Sequence, residues 1–328
     1  MKAIAFAARP YEADAFDRFS AELGIELTRV PQNLSLDNAH LAAGFESVMV
    51  LSACNAGAEV LEILAKGGTR FVAARTAGYN NIDAAAARRL GIRFSNANYS
   101  PNSVADFAVM LMLMSIRKAK TIIARNNAQD YTLVGAQGRE MRNLTVGIVG
   151  TGRIGAATAQ NLSGFGCRIL GYDIWRNPAL DGLVNYVEFD ELLARSDIVT
   201  LHAPLTADNR HLINAETIAR MKDGVIVVNC ARGDLVDTDA LIEAIEEKKI
   251  SAAALDVIEN ERGIFHADHR LEILKHRQLA ILRAFPNVIV TTHNAFFTDQ
   301  AVSDMVEVSL RSLASFVETG ASPWEIEP

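Results

Sequence analysis

Short apolar runs alternate with segments of helical periodicity through the first 99 residues of the chain. In residues 58–64, for example, the apolar side chains have the i, i+3, i+4 spacing of one helix face. The candidate strands between such segments are residues 2–7, 26–30, 47–51, 71–75 and 92–95. Strands that alternate with helices predict a parallel sheet covered by helices.

The same alternation begins again near residue 145. The candidate strands of this second half are residues 145–149, 168–172, 198–202, 225–229, 252–256 and 288–292. Six strands separated mostly by helices predict a doubly wound, Rossmann-type sheet. The predicted fold class is therefore α/β, with two doubly wound parallel-sheet domains. Residues 262–286 are less regular, and we predict a surface excursion with a helical, charged middle over residues 272–277.

A long helix is predicted after Ser100, which would be its N-cap, with Pro101 in the first turn. The helix would run to about Arg125, and its residues 104–116 are apolar on almost every side. Such a helix is buried on more than one side. It could pack against both domains, against a second subunit, or within a single core. Residues 299–317 predict a long amphipathic helix at the end of the chain.

Composition limits the classes of protein to which the chain can belong. Its 328 residues allow two domains of ordinary size, and its net charge of −7 argues against a broad nucleic-acid-binding surface. The three cysteines, Cys54, Cys167 and Cys230, form no paired motif, which is typical of reduced thiols in a cytoplasmic protein. The most apolar run, residues 104–116, is shorter than the roughly 20 residues of a membrane span.

A glycine-rich turn lies between the predicted strand 145–149 and a helical segment. Gly150, Gly152 and Gly155 have the Gly-x-Gly-x-x-Gly spacing, which lets the backbone approach a pyrophosphate at a helix N-terminus. Asp173 ends the next predicted strand, 18 residues beyond Gly155, where an acidic residue binds the ribose hydroxyls of a dinucleotide. The turn therefore predicts a dinucleotide-binding site.

Three polar residues follow predicted strands of the second sheet, at the edge where such sheets bind ligands. They are Arg232, Glu261 and His293. A guanidinium matches a carboxylate through two parallel hydrogen bonds, and an imidazole beside a carboxylate is a proton donor near neutral pH. Together they suit the reduction of a 2-oxo acid, with a nicotinamide as hydride donor. Surface pairing of Arg232 with Asp234 is the alternative interpretation of that arginine.

The other histidines carry weaker signals, and no metal site is predicted from them. They are His40, His202, His211, His266, His269 and His276. Those of the charged excursion lack the cysteines or carboxylates of a metal site, so a solvated surface is the simpler interpretation. His202 ends a predicted strand and suits a supporting role in the loop that follows.

Motifs along nearly the whole chain resemble those of the D-isomer-specific 2-hydroxyacid dehydrogenase family. In order, they are residues 76–83, 99–105, 150–155, 202–204, 221–224, 230–233 and 255–257, followed by His293. Within the family, residues 256–262 and 292–298 are most similar to the fermentative D-lactate dehydrogenase branch. The chain departs from that branch at Asn98, Ile258 and Asn294, and Ile258 takes the place of the usual tyrosine.

The resemblance implies roles for individual residues. The catalytic set would be Arg232, Glu261 and His293. Substrate would be bound by Ala77, Gly78, Tyr99, Arg232 and Phe296. NAD would be bound by Gly150, Gly152, Arg153, Ile154, Gly155, Asp173, Ala203, Pro204, Asn209, Cys230, Ala231 and Asp256, with Asp256 at the nicotinamide carboxamide.

The resemblance also implies a domain organisation. Residues 1–99 and 299–328 would form one discontinuous, flavodoxin-like substrate domain, into which residues 100–298 are inserted as the NAD-binding Rossmann domain. Residues 99–101 and 294–299 would be hinges whose closure excludes water from the substrate. A homodimer or higher homo-oligomer in the cytoplasm is expected, with neither nucleic acid nor membrane as a partner.

The function implied is NADH-dependent reduction of pyruvate to D-lactate, with His293 as the proton donor. Larger branched or aromatic 2-oxo acids are the alternative substrates on the same scaffold. A non-catalytic NAD-binding corepressor is an alternative of a different class, which the complete Arg232, Glu261 and His293 set disfavours. Asp173 predicts NADH over NADPH, although Arg176 could partly offset the repulsion of a 2′-phosphate.

Overall fold

The computed structural model describes residues 1–326, which form twelve β-strands and eleven α-helices, numbered here in chain order. The chain divides into two compact units. Unit 1 comprises Met1–Ser100 and Phe297–Pro328, and unit 2 comprises Pro101–Phe296. Residues 327 and 328, the end of the predicted substrate domain, lie outside the described residues. Within the described part, no helix is long and apolar enough to span a bilayer.

Unit 1 contains a five-stranded parallel sheet with the order β2-β1-β3-β4-β5. Its strands are β1 (Lys2–Phe6), β2 (Glu26–Val30), β3 (Ser47–Val50), β4 (Phe71–Ala74) and β5 (Arg93–Ser95). This is the flavodoxin-like order. All five strands were predicted. Strands β1, β3 and β4 are almost wholly buried and apolar, as expected of strands covered on both faces, whereas the edge strand β2 is largely exposed.

Helices cover both faces of the unit 1 sheet. They are α1 (Ala13–Glu22), α2 (Ala58–Lys66), α3 (Ala84–Leu90) and the C-terminal α11 (Asp299–Thr319). The apolar stripe of α11 joins α1 and the sheet in one core, where the ring of Phe316 stacks on that of Phe71 at a centroid distance of 4.4 Å. Burial of this stripe explains why a segment so distant in sequence belongs to unit 1.

Unit 2 contains a seven-stranded parallel sheet with the order β12-β11-β10-β9-β6-β7-β8. Its strands are β6 (Thr145–Val149), β7 (Arg168–Tyr172), β8 (Asn185–Tyr186), β9 (Ile198–Leu201), β10 (Val225–Asn229), β11 (Ile250–Leu255) and β12 (Val288–Val290). The doubly wound order confirms the predicted fold class. The sequence predicted six of these strands and missed β8, an edge strand of two residues that is too short to show a periodic pattern.

The helices of unit 2 are α4 (Asn102–Ile116), α5 (Ala119–Asn127), α6 (Arg153–Ser163), α7 (Phe189–Arg195), α8 (Ala215–Arg220), α9 (Thr238–Glu246) and α10 (Arg277–Ala284). Helix α4 packs against α6 and against strands β10 and β11. One side of α4 therefore lies in the unit 2 core, whereas Met110 on the other side is 40% exposed, so packing against a second subunit stays a prediction.

The single helix predicted from Ser100 to Arg125 is wrong in two respects. Its N-cap is Pro101, and the amide of Ser100 instead donates to Asp304 at 2.8 Å. The helix also ends at Ile116, whose carbonyl accepts a hydrogen bond from Arg139 N at 3.0 Å, and α5 follows as a separate helix. Lys118, with a left-handed φ of 52°, makes the break between the two helices.

The predicted helical segment over residues 272–277 is also wrong, because α10 begins only at Arg277. The side chain of His276 is its N-cap and accepts a hydrogen bond from Leu279 N at 3.1 Å. Leu279 is buried in the unit 2 core, whereas Leu271 and Ile273 are almost fully exposed. Helical stability in proteins comes mostly from burying an apolar face, and only residues after His276 have one to bury.

Candidate active site

Two of the three glycines in the turn after β6 are required on steric grounds. Gly150 has a left-handed φ of 91°, and a Cβ there would lie 2.5 Å from Ala203 N. A Cβ on Gly155 would overlap the carbonyl oxygen of Gly150, whereas the space around Gly152 is open. Gly152 is the N-cap of α6 and provides no side-chain cap, so the first amides of the helix are left for an anion. The turn therefore fits a pyrophosphate.

Asp173 follows β7 directly and lies beside the glycine turn. Its Oδ2 accepts a hydrogen bond from Thr151 N at 2.5 Å, and its Oδ1 accepts one from Trp175 N at 3.1 Å. The carboxylate is thus held in place at the sheet edge, where a ribose diol would be bound. The guanidinium of Arg176 lies over the ring of Tyr186, 5.7 Å from its centroid, so it already has an aromatic partner.

Glu261 and His293 form a close pair in unit 2. His293 Nδ1 is 2.5 Å from Glu261 Oε1, and the other carboxylate oxygen accepts a hydrogen bond from Ile258 N at 3.1 Å. A proton on Nδ1, directed at the carboxylate, leaves Nε2 as the nitrogen that can exchange a proton with a bound molecule. His293 has a left-handed φ of 55°, an unusual conformation for a histidine and one that often marks a functional position.

Arg232 lies three residues beyond the end of β10 and forms no ion pair with any residue in the range 1–326. Its Nη1 donates to Ala231 O at 2.6 Å, and the neighbouring Asp234 lies 3.6 Å from Arg210 instead. The alternative of an Arg232–Asp234 surface pair is therefore not observed. A Cβ on Gly233 would overlap the Ile258 carbonyl group, which shows that the loop carrying Arg232 packs directly against the loop that leads to Glu261.

Comparison with known proteins places this arrangement in one family. Residues 109–295 match the model of the D-isomer specific 2-hydroxyacid dehydrogenase NAD binding domain. An aromatic 2-oxoacid reductase of Clostridium sporogenes is 45% identical over 318 residues, which are 96% of each chain. A D-lactate dehydrogenase of Lactiplantibacillus plantarum is 37% identical over 330 residues, covering 100% of this chain and 99% of its own.

The chain belongs to the D-isomer-specific 2-hydroxyacid dehydrogenase family. The solved structure of a D-lactate dehydrogenase with NAD⁺ from Lactobacillus jensenii has a TM-score of 0.88, with 32% identity and full coverage of both chains. The family, the oxidoreductase class and the NAD cofactor that the sequence predicted are confirmed.

The other predicted cofactor residues line the same edge of the unit 2 sheet. The side chain of Asn209 holds its loop by donating to Pro204 O and accepting from Thr206 N, both at 2.7 Å. Burial, together with the nearby charge of Asp256, raises the pKa of the Cys230 thiol well above its ordinary value. Cys230 is therefore a neutral, buried side chain. Ala203, Ala231, Arg153 and Ile154 flank the edge on neighbouring segments.

Asp256 is fully buried, and His202 is partly buried at the end of the neighbouring strand segment. Burial lowers the pKa of His202 to about 4, so the ring is neutral at pH 7, and its Nε2 lies 3.0 Å from Thr200 Oγ1. The Asp256 carboxylate accepts hydrogen bonds from Thr291 Oγ1 at 2.5 Å and from Asn294 N and Ala295 N at 2.9 Å. These donors belong to the turn that carries His293, so Asp256 positions that turn. Its contact with the nicotinamide carboxamide stays a prediction.

The sequence did not indicate that other histidines would contact the site. His266 Nε2 lies 3.1 Å from the His293 carbonyl oxygen, and the two rings are 6.0 Å apart. The ring of Phe296 meets that of His293 edge-on at 6.4 Å. Because the His266–His293 contact joins residues that are 27 apart in the chain, no local pattern could reveal it. In the described part of the chain, no group of three His, Cys, Asp or Glu residues could hold a metal ion.

The predicted substrate-binding residues are divided between the two units. Ala77, Gly78 and Tyr99 lie in unit 1, whereas Arg232 and Phe296 lie in unit 2 with the rest of the candidate site. In unit 1, a loop after β4 is held by a hydrogen bond from Asn96 Nδ2 to Ala77 O at 2.7 Å and by one from Thr76 Oγ1 to Gly78 O at 2.6 Å. Ile258, noted for its departure from the D-lactate branch, is a buried core residue.

Proposed function

We propose that the chain reduces a 2-oxo acid to a D-2-hydroxy acid with NADH, using Arg232, Glu261 and His293. The observation that carries this proposal is the 2.5 Å contact between His293 Nδ1 and Glu261 Oε1, at the edge of a sheet in an NAD-binding domain. The carboxylate at that distance orients the His293 ring through Nδ1, so that Nε2 is the nitrogen that exchanges a proton with the substrate.

Arg232 binds the carboxylate of the substrate in this proposal. Its guanidinium has no acidic partner among residues 1–326, so it can receive a carboxylate through two parallel hydrogen bonds. When bound, NADH supplies the hydride to the carbonyl carbon. His293 Nε2 then donates its proton to the oxygen that becomes the hydroxyl group, while Glu261 holds the ring in orientation.

The remaining predicted site residues belong to the same proposal. In unit 1, Ala77 and Gly78 bind substrate through their backbone amides and Tyr99 through its hydroxyl group, and in unit 2 Phe296 limits the space for the substrate side chain. We further assign residues 1–99 with 299–328 to substrate binding and residues 100–298 to NAD binding. The expected homo-oligomeric state is also a proposal, which light scattering on the purified protein tests.

Two substrate classes are candidates. Pyruvate is favoured by the loop motifs around Glu261 and His293, which resemble those of D-lactate dehydrogenases. Aromatic or branched 2-oxo acids are the second candidate, because the relative named as an aromatic 2-oxoacid reductase is 45% identical to this chain and the D-lactate dehydrogenase is 37% identical.

The decisive experiment follows NADH oxidation with pyruvate, 2-oxoisocaproate and phenylpyruvate, with chiral analysis of each product. We expect turnover and a D-configured product. The ranking of the specificity constants then assigns the substrate class. A highest value with pyruvate assigns D-lactate dehydrogenase activity, and a highest value with phenylpyruvate or 2-oxoisocaproate assigns the larger 2-oxo acids. An L-configured product, or no turnover with any 2-oxo acid, would overturn the proposed function.

Substitution of Asp173 by serine is expected to shift cofactor preference towards NADPH. The carboxylate binds the ribose hydroxyls of NADH and repels the 2′-phosphate of NADPH. Its removal therefore weakens the binding of NADH and removes the repulsion of NADPH. We expect the ratio of kcat/KM with NADPH to that with NADH to rise about tenfold or more, equivalent to about 1.4 kcal/mol. Asp181→Ser, at an exposed aspartate after the same strand, is the control and should leave the ratio unchanged. An unchanged ratio in Asp173→Ser contradicts the assigned role.

A further inference from the structure

A second histidine–carboxylate pair lies two residues before Glu261. Glu259 Oε1 is 2.7 Å from His211 Nε2 and 3.3 Å from Arg210 Nη2. Its Oε2 accepts hydrogen bonds from Thr238 N at 3.0 Å and from Thr238 Oγ1 at 2.7 Å. Glu259 is only 8% exposed, and its two hydrogen bonds from Thr238 are buried, whereas the Arg210 side chain is 56% exposed.

Glu259 is charged in this environment. Burial by itself raises the pKa of its carboxyl group, but the hydrogen bonds from His211 and Thr238 outweigh burial and lower the pKa below its ordinary value. A buried carboxylate with this many donors has one well-defined orientation, because any other would leave the charge and several donors unsatisfied.

Glu259 lies within the turn that ends at Glu261, and the main chain of this turn has several contacts of its own. Asn260 has a left-handed φ of 57°, and the turn closes where Ile258 N donates to Glu261 Oε2 at 3.1 Å. The Glu259 carbonyl oxygen also lies 3.0 Å from His276 Nε2. The main chain at Ile258 and Glu259 rests on Gly233, where no Cβ can be accommodated.

We propose that Glu259 is a positioning residue, which locks the turn of residues 258–261 onto His211 and Thr238 and thereby holds Glu261 at hydrogen-bonding distance from His293. This inference rests on the proposed function, because it concerns the geometry of the same proton donor. Among residues 1–326, the Glu259 side chain forms no hydrogen bond with any of the three residues assigned to the reaction, Arg232, Glu261 and His293.

Loss of the Glu259 contacts with His211 and Thr238 is expected to lower kcat more than it changes the binding of substrate or cofactor. Displacement of a reacting group by about 1 Å can reduce the rate about 100-fold. In the described part of the chain, the Glu259 side chain forms no hydrogen bond with Arg232 or with the glycine turn, which are assigned to binding. A side chain that served only to stabilise the fold would not produce this separation of kcat from KM.

Glu259→Gln is the first test. The side-chain amide has only one acceptor oxygen, so its NH₂ group faces either His211 or Thr238, which are themselves donors. We expect kcat to fall about 10- to 100-fold, with KM for the 2-oxo acid and the Kd of NADH changed by less than about threefold. The control Glu272→Gln breaks an exposed pair, in which Glu272 is 2.8 Å from His269, and should keep kcat within about twofold.

Thr238→Val and Thr238→Ser give a milder, matched comparison that also decides the question if Glu259→Gln does not fold. Valine has the shape of threonine but no hydroxyl donor, whereas serine keeps the donor. We expect kcat to fall about three- to tenfold in Thr238→Val and to stay within about twofold in Thr238→Ser, because one hydrogen bond to a charged group is lost only in the former.

Three results would overturn the inference. They are an unchanged kcat in both Glu259→Gln and Thr238→Val, a rise in KM at constant kcat, and a loss of activity that matches the loss of folded protein in thermal denaturation. None of these results bears on the proposed function, because in each case the wild-type protein still reduces the 2-oxo acid. An inactive wild type would instead overturn the proposed function, and the inference with it.

Discussion

His293→Gln is expected to lower kcat/KM for the 2-oxo acid about 10²- to 10⁴-fold, the usual contribution of a positioned general acid. Glutamine retains a polar side chain of similar reach but cannot donate a proton and accept it again near neutral pH. The fluorescence-detected Kd of NADH should stay the same, because His293 is not among the residues of the glycine turn. Steady-state kinetics with the purified variant measure the loss.

The pairing with Glu261 makes a second measurement possible. If Glu261 acts through His293, then Glu261→Gln should reduce activity strongly in the wild type and only weakly in His293→Gln, since a residue cannot act through a ring that is absent. His40→Gln, at an exposed histidine of unit 1, is the control and should be fully active. A His293→Gln variant within tenfold of the wild type would exclude His293 as the proton donor.

Glu12→Gln is expected to be the most destabilising of the substitutions considered in unit 1. Glu12 is 1% exposed and lies 2.8 Å from Nε of Arg75, which is fully buried. Arg75 Nη2 also donates to Phe6 O at 3.0 Å and to Ala7 O at 3.1 Å. Removing the carboxylate charge leaves the guanidinium buried without a counter-charge, which lowers the free energy of unfolding by about 3–5 kcal/mol. Urea denaturation followed by circular dichroism measures this decrease.

The exposed ion pair between Lys2 and Glu26 is the matched control for this prediction. Its nitrogen and oxygen are 3.5 Å apart, and both side chains are largely in water. Glu26→Gln should therefore change the free energy of unfolding by less than about 1 kcal/mol. The double variant Glu12→Leu/Arg75→Met removes both buried charges and should be less destabilised than Glu12→Gln. A similar small effect of Glu12→Gln and Glu26→Gln would contradict the buried-pair argument.

The central strands were predictable because both sheets are covered on two faces. Such strands are short apolar runs, and their ends can be read from the sequence to within one or two residues. The prediction was wrong where no periodic pattern exists or where local signals compete. Strand β8 is too short to show alternation, and Lys118 divides a helix that its apolar sequence presents as continuous. The helix of the excursion was placed too early, because the sequence does not show which leucines reach the core.

The candidate site was predictable to a similar degree, and for a related reason. Residues that follow parallel strands meet at one edge of the sheet, so Arg232, Glu261 and His293 could be grouped from strand positions alone. Their pairing could not be obtained in this way. That Glu261 contacts His293, and that Asp234 contacts Arg210 and not Arg232, depends on loop conformations set by contacts across many residues.

The amino-acid sequence by itself determined the α/β class, the dinucleotide turn at Gly150–Gly155 and the residue types at the sheet edge, because these depend on local periodicity and on steric limits of short motifs. Only the tertiary structure decided which charges are buried and with what partner. Glu12 and Glu259 are unremarkable in the sequence, yet each is enclosed by donors from distant segments. The cost of burying a charge depends on everything that surrounds it in space, and this environment exists only in the folded chain.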